Sequence, residues 1–84
     1  MKIQAEISLY PLGERDPLRA IDGFVSVLRV EGLKPRMGTM STIVVGESET
    51  VFAAVAKAFE AVAAEHRCVL VAKYSNAFPP VEED

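Results

Sequence analysis

The spacing of apolar residues changes in the same order in both halves of this chain, and that repetition limits the possible folds more than any other feature. In Lys2–Leu12 apolar and polar residues alternate, which is the period of a strand with one buried face. In Pro17–Glu31 apolar residues recur three and four positions apart, which is the period of an amphipathic helix. A strand pattern follows, and the same succession of strand, helix and strand then fills the second half.

Turn and cap residues give the boundaries of the first helix and of the strand after it. Asp16 is a typical N-cap residue, and Pro17 suits the first helical position, where its missing N–H leaves no helical hydrogen bond unmade. Gly32 suits the left-handed backbone conformation that often ends a helix. Leu33–Met37 contains Pro35, which cannot donate to a ladder, so the sequence predicts a short edge strand here.

The second half supplies a hairpin partner, a second helix and a last strand. A turn at Gly38 joins the edge strand to Met40–Gly46. Ser48 is the predicted N-cap of a helix that ends near Glu65. Arg67–Asn76, rich in Val and Tyr, is the predicted fourth strand. The residues predicted to face the core from the second helix are Phe52, Val55, Phe59 and Val62.

Two units of strand, helix and strand with right-handed crossovers fold most readily as a ferredoxin-like sandwich. We therefore expect an α+β protein with the element order βαββαβ. Its four antiparallel strands lie in the order 4-1-3-2, and both helices cover one face of the sheet. The prediction assigns residues 1–78 to this single domain. Residues 79–84, which begin with two prolines and end in acidic residues, are predicted to be a disordered tail.

Composition argues against several classes of function. Cys68 is the one cysteine, so the chain has neither an intramolecular disulfide nor a cysteine-pair metal site. A formal net charge of −3 argues against non-specific binding to nucleic acid, which needs clustered Lys and Arg. No apolar run approaches the roughly 20 residues of a membrane helix, and the first residues lack the apolar region of a signal peptide. We expect a cytoplasmic protein without a nucleic-acid or membrane partner.

The helices leave one face of the sheet uncovered. The polarity of the side chains on that face indicates whether water or a partner covers it. On strand four the charged Lys73 is expected to point outward, and the alternation of the strand then assigns every second residue to the same face. Strand three is ambiguous: Thr42 favours an outward position for Met40, Thr42 and Val44. Ile43 and Val45 would then join the core, but a shift of one residue exchanges the two sets. The residues predicted on the open face of strands one and four are Gln4, Glu6, Ser8, Tyr10, Val69, Val71, Lys73 and Ser75.

This open face mixes apolar with polar side chains and is less polar than a solvated face. Contiguous apolar surface usually marks an interface, and a small domain gains burial by pairing with another copy. We therefore expect a homo-oligomer. Glu6 and Lys73 lie on adjacent strands in the predicted order, so they form either a cross-strand ion pair or the charged part of a pocket.

Two polar clusters are candidates for lining a pocket. Tyr10–Gly13 carries an aromatic hydroxyl at a strand end, and Gly38–Thr42 places three hydroxyls and a methionine around a turn. Hydroxyls give adaptable hydrogen bonds to a heteroaromatic ligand, while Met and Tyr contact its ring face. Alternatively, Thr39 and Ser41 serve only the hairpin turn. His66 is interpreted as a helix C-terminal residue, and we expect no enzyme activity because no nucleophile, base and orienting group can be assembled.

Three segments carry a resemblance to a known family: Ile7–Gly13, Gly38–Val44 with Gly46 after it, and Lys73–Asn76. In these segments the chain resembles the small thiamine-binding proteins, which have a ferredoxin-like fold and include domains that bind thiamine or its hydroxymethylpyrimidine moiety. The resemblance covers nearly the whole chain. The family often continues with charged or basic residues after strand four, whereas Ala77–Pro80 follows here, which argues against ligand contacts beyond that strand.

The resemblance implies a non-enzymatic binder that assembles as homodimers or homotetramers through its sheets and holds thiamine or hydroxymethylpyrimidine near that assembly. From the residues themselves we expect no further cofactor and no metal site. Lys73 does not suit a cationic ligand, and it is either neutralised by Glu6 or favours a phosphorylated ligand. The alternative hypothesis is an oligomerising interaction module without a small-molecule ligand. The candidate ligand-binding residues are Glu6, Ser8, Tyr10, Met40, Ser41, Thr42, Lys73 and Asn76.

Overall fold

A computed structural model describes residues 1–13 and 15–77. The strands lie side by side in the order β2-β3-β1-β4, and all neighbours are antiparallel. This is the predicted ferredoxin-like α+β arrangement, with the predicted strand order. The predicted acidic tail lies outside the described residues. The elements are β1 (Lys2–Pro11), α1 (Pro17–Val30), β2 (Arg36–Met37), β3 (Thr42–Glu47), α2 (Ser48–Ala63) and β4 (Cys68–Ser75).

The central strand β1 carries the core of the protein. Its residues alternate between buried and partly exposed, as the sequence predicts. The buried set packs against Phe24 and Leu28 of α1 and against the small residues of α2. Burial of apolar surface on this one face stabilises the two-layer sandwich. The buried residues of β1 are Ile3, Ala5, Ile7 and Leu9.

Helix α1 begins and ends close to its predicted limits. Asp16 occupies the N-cap position, but its side chain makes no capping hydrogen bond, and its main-chain carbonyl accepts the Arg19 N–H at 3.2 Å instead. Gly32, with φ of +94°, ends the helix in the left-handed conformation that glycine adopts without strain. Its N–H donates to the carbonyl of Arg29 at 3.0 Å. The helical pattern of the sequence therefore gives the correct element within one residue at its end.

The predicted N-cap of α2 is wrong by one residue. Ser48 is the first helical residue, and Glu47 holds the cap position without a side-chain hydrogen bond. The Ser48 N–H donates to the carbonyl of Met1 at 2.8 Å. Ser48 therefore has two roles. Its N–H adds one more hydrogen bond between β3 and the start of β1, and it is also the first residue of the helix. The helix ends at Ala63, two residues before the predicted limit at Glu65.

The predicted core stripe of α2 needs a correction at its aromatic residues. Val55 and Val62 are buried as predicted, but Phe52 is 51% exposed and Phe59 is only partly buried. Small side chains fill most of the stripe and let the helix approach the sheet closely. Phe52 lies beside that stripe and stacks on Tyr74 of β4, with ring centroids 4.2 Å apart. The residues of α2 that are buried are Val51, Ala54, Val55, Ala58 and Val62.

The predicted facing of strand three is wrong. Val44 pairs with Ala5 and Thr42 pairs with Ile7, so both lie on the helix face, where they are 1% and 6% exposed. Ile43 belongs to the open face instead, opposite Glu6, and so does Val45. The hydroxyl of Thr42 suggested an outward position, but cross-strand register decides the face and the threonine methyl group suits a buried one.

The predicted edge strand is shorter than expected. Only Arg36 and Met37 pair with β3, whereas the prediction covers Leu33–Met37. Leu33 is instead a buried core residue. Its side chain lies over Gly46, where an added Cβ would come within 3.1 Å of the Leu33 Cδ2 atom. The close approach explains a glycine inside a strand. Within the described residues, neither helix is long and apolar enough to span a membrane.

Candidate ligand-binding cleft

The two neighbours of β1 end at different points along it. Pairing with β4 continues as far as Pro11, which lies opposite Cys68. Pairing with β3 stops at Ile7, which lies opposite Thr42. The segment Ser8–Pro11 therefore has a neighbouring strand on one side only. Residues 38–41, which would otherwise extend β3 along this segment, form the β2–β3 turn instead.

Hydrogen bonds to side chains of β1 hold this turn toward the open face of the sheet. The turn is closed by the Gly38 N–H, which donates to the carbonyl of Ser41 at 2.8 Å. The Ser8 hydroxyl donates to the carbonyl of Met40 at 3.2 Å. The Ser41 hydroxyl donates to Glu6 Oε2 at 3.0 Å. Because Glu6 and Ser8 point to the open face, these contacts draw the turn out of line with β3 and leave a gap beside β1.

The gap opens into a cleft of about 420 Å³ between the end of β1, the first half of α1 and the β2–β3 turn. Sites for small molecules typically enclose about 300–1,000 Å³ and combine apolar walls with a few polar groups. The cleft has that composition. It is lined by Ile7, Ser8, Leu9, Tyr10, Pro11, Pro17, Leu18, Ile21, Phe24, Met37, Gly38, Thr39, Met40, Ser41 and Thr42.

Most of the ligand-binding candidates from the sequence meet at this cleft. The two clusters that the sequence singles out, at the end of β1 and in the turn, both contribute lining residues. Tyr10 and Met40 are 49% and 85% exposed, so a ligand can reach the ring and the thioether. Glu6 lies next to the cleft through its hydrogen bond with Ser41. The candidates that line the cleft are Ser8, Tyr10, Met40, Ser41 and Thr42.

Two candidates lie away from the cleft. Lys73 lies on the open face, where its Nζ is 3.5 Å from Glu6 Oε1, so the predicted cross-strand ion pair forms. Asn76 follows Ser75, which pairs with Gln4 near the other end of β1. Three residues of strand, at about 3.4 Å each, separate Gln4 from Ile7, the first residue of β1 that lines the cleft. Within one chain the structure therefore does not bring Asn76 to the other candidates.

The wall formed by α1 was not predicted from the sequence. Pro17, Leu18 and Ile21 come from its first turns, and Phe24 forms the deeper part of the same face. Their spacing of three and four residues is the helical pattern that the sequence shows. Leu18 is 64% exposed, which is unusual for a leucine at a helix position beside the core stripe. That exposure is the signal in the structure that this face of α1 borders the cleft.

The chemistry of the cleft is that of hydroxyl groups on apolar walls. The hydroxyls of Ser8, Ser41 and Thr42 donate and accept hydrogen bonds, and Thr42 is nearly buried. Aromatic and thioether groups contact planar rings. Within residues 1–13 and 15–77, no cluster of His, Cys, Asp and Glu has an arrangement that could hold a metal ion. The arrangement suits a planar, partly polar organic molecule.

Several solved structures have the same fold. A protein from Streptococcus pneumoniae superposes with a TM-score of 0.82 at 19% identity, over 89% of this chain and 86% of that chain. A hypothetical protein from Methanocaldococcus jannascii superposes with a TM-score of 0.83 at 23% identity, over 95% of this chain and 84% of that chain. At these identities the similarity shows a shared fold.

A Thermotoga maritima protein that is provisionally assigned to thiamine biosynthesis or salvage also has this fold. Its TM-score is 0.78 at 24% identity, over 88% of this chain and 82% of that chain. Among curated proteins, none matches the sequence significantly. A family model described as thiamine-binding protein matches residues 5–76, which include every strand and both helices apart from the first residues of β1. The chain belongs to the thiamine-binding protein family.

Proposed function

We propose that this protein is a cytoplasmic, non-enzymatic binder of thiamine or of its hydroxymethylpyrimidine moiety, and that the cleft is its binding site. The observation that carries the proposal is the meeting of Tyr10, Met40 and Thr42 in one cleft of a chain that belongs to the thiamine-binding family. These residues come from separate parts of the sequence, and the fold gives them a common ligand-sized space.

The polar side of the cleft matches an aminopyrimidine. Such a ring presents acceptor nitrogens and an amino donor, and hydroxyl groups pair with both kinds of group. Thr42 is the most enclosed of the hydroxyl residues, at 6% exposure, so a hydrogen bond from it to a ligand would be shielded from water. We assign Thr42 to the polar recognition of the ring.

The apolar side of the cleft suits the faces and methyl groups of the same ligand. Leu18 and Ile21 of α1 line the cleft together with Met40 of the β2–β3 turn and Tyr10 of β1. Aromatic side chains and methionine make favourable contacts with planar heterocycles. Enclosing the ring among these residues removes apolar surface from water, which supplies the non-directional part of the affinity.

Glu6, which lies next to the cleft, and its ion-pair partner Lys73 would act on any part of the ligand that extends out of the cleft. Thiamine carries a thiazolium cation, which the carboxylate of Glu6 would attract. That carboxylate already contacts Lys73 and the Ser41 hydroxyl. Lys73 would in turn attract the phosphate of a phosphorylated ligand. The relative affinities for thiamine and thiamine phosphates therefore depend on whether the ligand extends toward this pair.

A thermal-unfolding screen tests the proposal with thiamine, hydroxymethylpyrimidine, thiamine phosphates and unrelated heterocycles. A ligand at one hundred times its dissociation constant adds about 2.7 kcal/mol to the free energy of unfolding, which raises the midpoint of a domain of this size by roughly 10–20 °C. We expect this shift for thiamine or its pyrimidine alone. No shift with any of these ligands would contradict the proposal.

A pair of matched variants connects the shift to the cleft. Thr42→Val removes the enclosed hydroxyl and keeps the shape of the side chain, so it should reduce the ligand-dependent shift. Thr50→Val makes the same change at an exposed position of α2 and should leave the shift unchanged. Equal shifts in both variants would place the binding site outside the cleft.

We further propose that the protein assembles as a homodimer or homotetramer through the open face of its sheet. Val69 and Val71 are 46% and 48% exposed there, and Ile43 and Val45 add two apolar side chains to the same face on β3, opposite Glu6 and Gln4 of β1. Exposed valines in a row on one face are costly to leave in water and typical of an interface. This surface also favours the second candidate function, an interaction module that binds only itself or another protein.

Sedimentation measurements with two variants separate the two functions. Val71→Asp would bury a carboxylate in the interface and should release monomers, since an unpaired buried charge is strongly unfavourable. Val30→Asp, at an exposed valine of α1, is the control and should keep the oligomer. If thiamine stabilises the protein, the binder is supported. If Val71→Asp dissociates the oligomer and no ligand binds, the interaction module is supported instead.

A further inference from the structure

The direction of the main-chain groups along β1 follows from two hydrogen bonds outside the regular ladders. The Leu12 N–H donates to the carbonyl of Arg67 at 2.8 Å, so even-numbered residues of β1 direct their main-chain groups toward β4. The Ser48 N–H donates to the carbonyl of Met1 at 2.8 Å, so odd-numbered residues direct theirs toward β3. Both ladders keep one register without a bulge, so this alternation holds along the whole strand.

Leu9 is the odd-numbered residue that follows the last pair of the β1–β3 ladder. If the ladder continued in register, Leu9 would lie opposite Met40. Among the described residues that pair does not form, because the ladder ends at Ile7 and Thr42. The carbonyl of Met40 accepts the Ser8 hydroxyl instead. The N–H and the carbonyl of Leu9 therefore point into the gap that forms the cleft.

An N–H and a carbonyl on the same edge of a strand form a donor and an acceptor side by side. Main-chain groups of this kind need partners, and an unpaired strand edge is a template for hydrogen bonding. Leu9 itself lines the cleft, while the residue as a whole is only 9% exposed and its side chain packs in the core. The position of this donor and acceptor is thus set by the sheet and does not depend on a flexible side chain.

We propose that the main-chain N–H and carbonyl of Leu9 recognise the edge of the ligand by a pair of hydrogen bonds. This inference rests on the proposed function and specifies its chemistry. The complementary group is an acceptor beside a donor, as in a ring nitrogen next to an exocyclic amino group of an aminopyrimidine. The ligand edge takes the place of the missing strand residue, and the side chains of the cleft enclose the ring.

The proposal predicts which change in the ligand matters. Hydroxymethylpyrimidine without its amino group keeps the ring nitrogen but leaves the Leu9 carbonyl without a donor. A buried acceptor left unpaired costs more than a hydrogen bond exposed to water. We expect this analogue to bind about tenfold more weakly than hydroxymethylpyrimidine. Equal affinities would overturn the proposal.

Amide hydrogen exchange measured by NMR tests the main chain directly. Ile7 is the matched control, because its N–H points toward the same side of β1 but lies inside the ladder with Thr42. In the free protein, the Leu9 amide should exchange at least tenfold faster than the Ile7 amide. With hydroxymethylpyrimidine bound, exchange at Leu9 should slow at least tenfold while exchange at Ile7 stays unchanged.

The outcomes distinguish this proposal from the proposed function. If the Leu9 amide of the free protein is as protected as that of Ile7, the main-chain proposal is overturned whether or not a ligand binds. If hydroxymethylpyrimidine raises the unfolding midpoint but leaves exchange at Leu9 unchanged, the proposed function stands and the main-chain proposal fails. If neither thiamine nor hydroxymethylpyrimidine binds, both fail together.

Discussion

The two halves of β1 have the same alternating sequence but different neighbours. From Lys2 to Ile7 the strand lies between β3 and β4, and both edges are paired. From Ser8 to Pro11 it pairs only with β4, and the cleft lies on its other side. The residues of both halves alternate between the core and the open face in the same way. Hence the difference between them lies at the strand edge.

This difference shows how a small sheet can combine stability with a candidate binding site. The doubly paired half holds the sandwich together through its ladders and its buried side chains. The singly paired half continues the same strand but leaves one edge unpaired beside the cleft. A site on a strand of the core is positioned more accurately than a site on a loop. In this protein the end of one ladder is the structural origin of the candidate site.

The largest effect is expected from shortening a core side chain in each half. Ile7 is 2% exposed and enclosed by both layers, so Ile7→Ala should lower the free energy of unfolding by about 2–5 kcal/mol. Leu9 is more exposed, at 9%, and lies beyond the last pair with β3, so Leu9→Ala should cost less than Ile7→Ala. Urea denaturation of both variants measures the difference. An equal or greater loss for Leu9→Ala would show that the singly paired half is packed at least as tightly as the doubly paired half.

A smaller effect is expected from releasing the turn that keeps the second half open. Ser8→Ala removes the hydroxyl that binds the Met40 carbonyl, so that carbonyl becomes free to pair with Leu9 and narrow the cleft. We expect affinity for hydroxymethylpyrimidine to fall by about three- to tenfold, which corresponds to the free energy of roughly one hydrogen bond. Titration calorimetry measures the affinity. Ser26→Ala, at an exposed position of α1, is the control and should bind as the unchanged protein does.

A still smaller effect is expected from the ion pair on the open face of the first half. The Lys73 and Glu6 side chains are 79% and 45% exposed, so solvent screens their attraction. Lys73→Met should therefore change the free energy of unfolding by no more than about 1 kcal/mol. The measurement is denaturation at low and high salt. A larger, salt-sensitive loss would show that charge and not ladder pairing stabilises this half of the strand.

The smallest effect is expected at alkaline pH. Partial burial raises the pKa of Tyr74, which lies opposite Ala5 in the doubly paired half. The folded protein therefore keeps the phenol proton to higher pH than the unfolded chain, so this contribution to stability is present below about pH 10 and is lost as the pH rises through the folded pKa. Tyr74→Phe should flatten the fall in unfolding free energy on the alkaline side. An unchanged slope would contradict this assignment.

The sequence predicts the fold well because the fold depends on local patterns. Alternation identifies β1, and helical spacing identifies α1. The glycine after α1 marks the end of that helix. The order of these elements then allows few topologies. The facing of β3 could not be predicted in the same way, because Thr42 has both a hydroxyl and a methyl group and therefore suits either face. Only its register against β1 decides.

The sequence indicates most of the residues of the candidate site, but it does not indicate the shape of the cleft. The clusters at Tyr10 and Gly38–Thr42 were visible because hydroxyl, aromatic and thioether groups are concentrated there. The cleft itself depends on where a ladder ends. That point is set by hydrogen bonds between Ser8 and Met40 and between Glu6 and Ser41, which are 32 and 35 residues apart in sequence. Contacts at such separations leave no periodic signal.

Isotope-filtered NOE spectroscopy with hydroxymethylpyrimidine tests most directly whether the ligand binds at the singly paired half of β1. The account predicts contacts from the methyl group and ring proton of the ligand to the methyl groups of Met40, Thr42 and Ile21, which line the cleft. Val45, which lies opposite Gln4 at the other end of the open face, should show no contact with the ligand. Contacts to Val45 without contacts to the cleft methyl groups would contradict the account.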